Sequence, residues 1–174
     1  MKKTLFTIAM IIMSMSAFSQ SYKQDATLNL FNAIANRWLD VSYEYYLNDE
    51  SSAGITFQTR LADENNNEFN RTYAISPFYR YFVTQDEHNS GLFGEVFVKI
   101  NGGQERIIEE VEGQDNNITY EKYGNMALGL SLGYKYRSDK GFVATGYGGV
   151  GRNLLNSGGP NVVPRLGISI GYAF

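Results

Sequence analysis

Acidic and basic residues recur on one side of otherwise apolar segments of this chain: Asp40 and Glu44, Arg60, Arg80, Glu95 and Lys99, Lys135, and Arg165. In extended backbone, residues i, i+2 and i+4 share a face, so each of these stands on a polar face opposite a greasy one. Carboxylates and bases gathered in this way either line a polar path for ions or neutralise one another as a fixed network. A charge buried alone costs several kcal/mol, so charges that face an interior have to be paired and hydrogen-bonded.

Other spacings point to chemistry more weakly. Gly146-Tyr-Gly148-Gly-Val-Gly151 matches the G-x-G-x-x-G dinucleotide fingerprint, but no helical pattern follows, and a glycine-rich strand fits the stretch better. His88, the one histidine, stands beside Asp86 and Glu87 in a short polar turn, where a solvated surface side chain is expected. With no second histidine and no cysteine there is no His/Cys metal cluster, and neither a cofactor nor an enzymatic activity is expected. The polar segment 101–125 carries Glu105, Glu109, Glu110, Glu112 and Asp115, and Asp63, Glu64 and Glu68 fall in another polar stretch. Their spacing matches no calcium loop and reads as solvated charge. Interleaved Ile107, Ile108 and Val111 leave a second reading, a strand hairpin whose edge is offered to a partner.

The elements that must carry the charged faces are strands. Alternation of period two sets Leu39, Val41, Tyr43, Tyr45 and Leu47 against Asp40, Ser42, Glu44 and Tyr46, and sets Ala53, Ile55, Phe57 and Leu61 against Gly54, Thr56, Gln58 and Arg60. It continues with Tyr73, Ile75, Pro77, Tyr79, Tyr81 and Val83 opposite Thr72, Ser76 and Arg80, then Leu92, Val96, Val98 and Ile100 opposite Glu95 and Lys99. Met126, Leu128, Leu130, Leu132, Tyr134 and Tyr136 oppose Gly129, Ser131, Gly133 and Lys135; Leu166, Ile168, Ile170, Tyr172 and Phe174 oppose Arg165, Gly167, Ser169 and Gly171. A first strand over 25–35 and one over 141–152 bring the number to eight; the faces of the latter are ambiguous because both registers are glycine-rich. The inward glycines 129, 133, 167 and 171 are expected to make room for the long arginine and lysine side chains.

Four of these segments close on an aromatic-x-aromatic motif: Tyr43 with Tyr45, Tyr79 with Tyr81, Tyr134 with Tyr136, and Tyr172 with Phe174. Each motif puts two rings on the apolar face, as a strand does where it leaves a bilayer at the headgroup level. Connections 48–52, 85–90 and 138–140 are short, whereas 63–70, 101–125 and 153–161 are longer. If the N-terminus is periplasmic, the short turns and all four motifs lie at the periplasmic end and form one girdle.

The start of the chain supports export. Met1-Lys2-Lys3, an apolar run from Leu5 to Met13 and Ala17-Phe18-Ser19 read as a signal peptide over 1–19, leaving a mature domain over 20–174. Of 15 Lys and Arg and 18 Asp and Glu, removal of Lys2 and Lys3 takes the formal charge from −3 to −5. Nucleic acid is therefore not an expected partner.

The closing run Arg165-Leu-Gly-Ile-Ser-Ile-Gly-Tyr-Ala-Phe174 resembles the C-terminal signal that bacterial outer-membrane barrels present to the barrel assembly machinery, carried here by Leu166, Ile168, Ile170, Tyr172 and Phe174. With Ile75-Ser-Pro-Phe-Tyr-Arg-Tyr81 and Gly133-Tyr-Lys-Tyr136, the chain is similar to the small eight-stranded family of OmpX and the OmpA membrane domain, and to an outer-membrane barrel family of unassigned function. The resemblance implies an all-β, eight-stranded antiparallel transmembrane up-and-down β-barrel in a Gram-negative outer membrane, in contact with lipid and lipopolysaccharide. Its expected role is envelope structure or surface interaction through extracellular loops, with segment 101–125 the place for a partner; the alternative is a narrow, porin-like pore for small solutes. The interior of eight strands is only wide enough for side chains, which favours a plugged lumen.

Overall fold

The computed structural model describes residues 23–61, 69–84, 90–109, 117–155 and 161–174, and within these it gives 69–71, 104–109 and 117–121 as backbone alone. The expected signal segment, His88, Asp63, Glu64, Glu68, Glu110, Glu112 and Asp115 lie outside the described residues.

Eight strands, β1 (Gln24–Asn29), β2 (Trp38–Tyr46), β3 (Ser51–Arg60), β4 (Phe69–Phe82), β5 (Gly91–Glu109), β6 (Asn117–Arg137), β7 (Phe142–Asn153) and β8 (Val162–Ala173), form a closed barrel in sequence order. Every neighbouring pair is antiparallel, and β1 pairs with β8 to seal the cylinder. At the seam Phe174 N–H donates to the Gln24 carbonyl at 2.8 Å and Gln24 N–H returns a bond to Phe174 at 3.1 Å. Closure leaves no unpaired sheet edge along the wall.

One end carries the short turns after β2, β4 and β6. Asn48 organises the first, its side-chain oxygen accepting from Glu50 N–H and the Ser51 hydroxyl, both at 2.9 Å. The turn at 138–141 closes on Gly141, whose φ of +85° falls in the left-handed region that glycine enters without a Cβ clash. The other, loop end is taller on one side, because β5 and β6 stay paired as far as Glu109 opposite Asn117. The polar segment 101–125 is thus largely a hairpin, the second of the two readings of its pattern. β7 pairs with β6 from Ala127 onward, and just past β7 Leu154 N–H donates to the Met126 carbonyl at 2.8 Å.

The first strand is shorter than the expected 25–35. β1 stops at Asn29, and a short helix, α1 (Leu30–Ala35), crosses to β2. Asn29 has extended dihedrals and its side chain accepts from Asn32 N–H at 3.2 Å, which caps the helix and ends the strand. Thr72 points outward although it was expected on the inner face. The cause is a register shift between Arg71 and Tyr73 in the β4–β5 pairing, since a bulge breaks the alternation. In β7 the odd positions Val143, Thr145 and Tyr147 are buried and Phe142 and Val150 are exposed, which assigns the faces left ambiguous by glycine.

The packing is that of a cylinder turned inside out. Leu130, Leu132 and Ile168 are 65%, 70% and 61% exposed, whereas Lys135 is fully enclosed at 0%. Apolar residues outside are therefore a continuous belt around the wall, and the interior is built of charges, amides and rings.

Candidate functional site

Inside the barrel, side chains from six strands make one unbroken chain of five ion pairs. From the loop end, Arg165 Nε of β8 bonds Glu95 Oε1 of β5 at 2.7 Å, and Glu95 Oε2 accepts from Arg80 Nε of β4 at 2.8 Å. Arg80 pairs through NH1 with Glu44 of β2, whose Oε2 also meets Lys135 Nζ of β6 at 2.7 Å. Lys135 then reaches Asp25 Oδ2 of β1 at 2.8 Å. Neutral donors complete the coordination. Ser52 donates to Glu44, Tyr46 donates to Asp25 at 2.6 Å, and Lys135 donates to the Tyr46 oxygen at 2.8 Å. Such multiple pairing is what allows ions to persist where an unpaired one would be expelled.

Of the residues singled out from sequence, Glu44, Arg80, Glu95, Lys135 and Arg165 come together in this network. Asp40 is buried too, but in a separate amide cluster in which its Oδ2 accepts from Asn29 at 2.9 Å, Gln58 at 2.7 Å, and Asn32. Lys99 is buried on the inner face of β5, and Arg60 is half-buried near the rim, its guanidinium 5.8 Å from the Trp38 ring centroid. The sequence pattern alone does not single out Asp25 and Tyr46 of the network, Asn29 of the amide cluster, or Arg137, whose guanidinium lies 4.8 Å from the Tyr46 ring centroid. A signal for Asp25 and Asn29 was present, since Asp25, Thr27 and Asn29 alternate with Ala26 and Leu28.

Three of the four inward glycines serve rings rather than the charged side chains for which room was expected, and the fourth, Gly171, stands against the Ala26–Thr27 backbone. A Cβ on Gly129 would enter the Phe97 ring, one on Gly133 the Phe93 ring, and one on Gly167 the Tyr147 ring; Gly54 stands in the same relation to Phe78. Each of those rings belongs to the residue directly opposite on the adjacent strand. Lying flat over glycines, the rings leave their faces to cations. The Arg80 guanidinium is 4.5 Å from the centroids of Phe78 and Phe93, and that of Arg165 is 5.0 Å from Phe97. With Phe82 and Phe93 in edge contact at 5.8 Å, rings and ion pairs together fill the waist of the lumen.

The outward aromatic residues Tyr43, Tyr45, Tyr79, Tyr81, Tyr134, Tyr136 and Tyr172 are exposed and ring the end that holds the short turns; Phe174 lies just past β8, its ring 6.5 Å from Tyr43. Leu166, Ile168 and Ile170 continue the exposed face of the last strand.

Among the described residues no group of three or more His, Cys, Asp or Glu side chains is placed to hold a metal ion. Among the described residues no helix is long and apolar enough to cross a membrane, which leaves crossing by strands untouched. Comparison with family models, curated proteins and solved structures gives no match.

Proposed function

We propose that this chain is an outer-membrane β-barrel of the OmpX-like kind, non-enzymatic, exported by a signal peptide over 1–19 and serving envelope structure or surface interaction. The observation that carries the reading is the inverted distribution of side chains: exposed leucine, isoleucine and tyrosine outside, five linked ion pairs inside. In water that arrangement loses the burial that stabilises a soluble fold, whereas in lipid a closed barrel satisfies every backbone polar group and keeps its apolar face covered.

The ring of tyrosines supports an interface at headgroup level on the short-turn side; short turns suit the periplasmic end, so in this reading the tall β5–β6 hairpin faces outside the cell. Leu166, Ile168, Ile170, Tyr172 and Phe174 serve as the signal to the barrel assembly machinery. The β5–β6 segment over 101–125 is the surface offered to an extracellular partner. Lipid and lipopolysaccharide surround the belt, and nucleic acid has no part.

Cell fractionation followed by electrophoresis of unboiled and boiled samples tests the reading. The protein is expected in the outer-membrane fraction, with a mobility shift on boiling. Recovery from the soluble periplasm with one mobility in both lanes refutes it.

A further inference from the structure

Above the waist, at the loop end, the barrel opens into a cavity of about 320 Å³. Arg165 and Asn101 line it from β8 and β5, Trp38 and Arg60 from β2 and β3, and Tyr123 from β6, with Gln58 facing the same space. Two donors on this lining form no hydrogen bond within the protein: Arg165 NH1, left over after Nε binds Glu95 and NH2 binds Thr56, and Asn101 Nδ2. Both residues are only 3% exposed. Gln58, whose Nε2 is committed to Asp40, leaves its Oε1 without a donor. Buried groups of this kind are costly to leave unmade, and three of them, on residues that line one cavity, amount to a pattern that a ligand can complete once those side chains turn toward it.

The pattern is charged. Among the described residues the buried interior holds four carboxylates, Asp25, Asp40, Glu44 and Glu95, against five bases, Arg80, Lys99, Lys135, Arg137 and Arg165, and Arg60 adds a further base at the rim. Trp38, Tyr123 and Val163 give the same space apolar walls. A volume of this size belongs to the range of small-molecule sites.

We propose that this mouth binds a small organic carboxylate with an apolar body and a hydroxyl group. The carboxylate takes the Arg165 and Asn101 donors, the hydroxyl donates to Gln58 Oε1, and the apolar body lies against Trp38 and Tyr123 beneath Arg60. The site needs no passage through the lumen, so it stands whether or not the barrel spans a membrane.

Trp38 is the only tryptophan of the chain, so its fluorescence reports on the cavity without labelling. The test titrates mandelate into the full-length protein folded in detergent micelles, with 1-phenyl-1,2-ethanediol as the neutral analogue and calorimetry in parallel. Mandelate is expected to bind saturably and at least about tenfold more tightly than the diol; Asn101→Leu is expected to weaken it by about tenfold, as loss of a hydrogen bond to a charged group does, and Arg60→Gln by about tenfold, because it removes the positive charge that covers the bound anion. Arg60 is half-buried at the rim, so its variant folds even if the buried Asn101→Leu does not. Absence of a saturable response to mandelate, equal binding of the diol, or unchanged affinity in folded Arg60→Gln overturns the proposal.

Discussion

Lys135 Nζ lies 2.8 Å from Asp25 Oδ2 and so joins β6 to β1 across the interior of the barrel, between strands that share no backbone hydrogen bond. The bond is one of three that Lys135 donates, the others going to Glu44 and to the Tyr46 hydroxyl.

Replacing Lys135 by methionine strands the Asp25 carboxylate, whose remaining donor is Tyr46. A loss of about 3–5 kcal/mol is expected, the cost of breaking a buried pair from one side. Urea titration of the lipid- or micelle-folded protein, read by the boiled and unboiled band positions, measures it. Asp25→Asn in the same chain should recover part of the loss, and strict additivity of the two changes would show that the pair is not coupled.

Two glycines on the same fold should respond in opposite ways to alanine. A Cβ on Gly171 would overlap the Ala26 carbonyl and stand 2.7 Å from Thr27 Cα across the seam, whereas one on Gly146 meets nothing within 4 Å. Gly171→Ala is expected to cost about 1–3 kcal/mol through overpacking. Gly146→Ala should be neutral or stabilising by up to about 1 kcal/mol, because it restricts the unfolded chain. Equal effects in an unfolding titration would contradict the packing described at the seam.

The lipid-facing assignment makes Leu130→Arg informative. Leu130 is 65% exposed halfway along β6, a position where water would tolerate arginine readily. In a bilayer the change should destabilise by about 2–4 kcal/mol if the residue sits near the midplane, and substitution of Tyr136, in the girdle, should cost less. Folding yield and unfolding midpoint in phospholipid vesicles provide the comparison, and a neutral Leu130→Arg counts against a membrane belt.

Because rings and ion pairs fill the waist, the protein added to planar bilayers is expected to give no discrete conductance steps. Steady unitary openings, reproduced in Arg60→Gln, would favour the narrow-pore alternative.

The wall was easier to read from sequence than the contents. In β6 and β8 the alternation of Leu130, Leu132, Ile168 and Ile170 with small or charged residues names the faces without help from neighbours. β7 could not be read in this way, because glycine has no side chain to declare a face; the burial of Val143, Thr145 and Tyr147, with Tyr147 lying over Gly167, settles it. Helix α1 is six residues long, below the length at which helical periodicity becomes visible. The charged network was half visible: Glu44, Arg80, Glu95, Lys135 and Arg165 stand out by type and parity, but their partners follow from strand register, which no local pattern encodes. Asp25 has the parity of an inward residue, but only the register across the barrel reveals Lys135 as its partner. The role of the interior glycines was misread for the same reason, since a glycine beneath a ring is recognised only once the opposite strand is aligned.

That alignment acts as a vernier. Sliding any strand by two places, the smallest slip that keeps its oily side outward, would set Phe97 against Ala127 or Ser131, Phe93 against Ser131 or Lys135, Tyr147 against Arg165 or Ser169, and Phe78 against Ser52 or Thr56. Every one of those alternatives carries a Cβ where the ring must rest. Four notches thus lock three of the eight strand contacts whose summed stagger sets the girth and tilt of the cylinder.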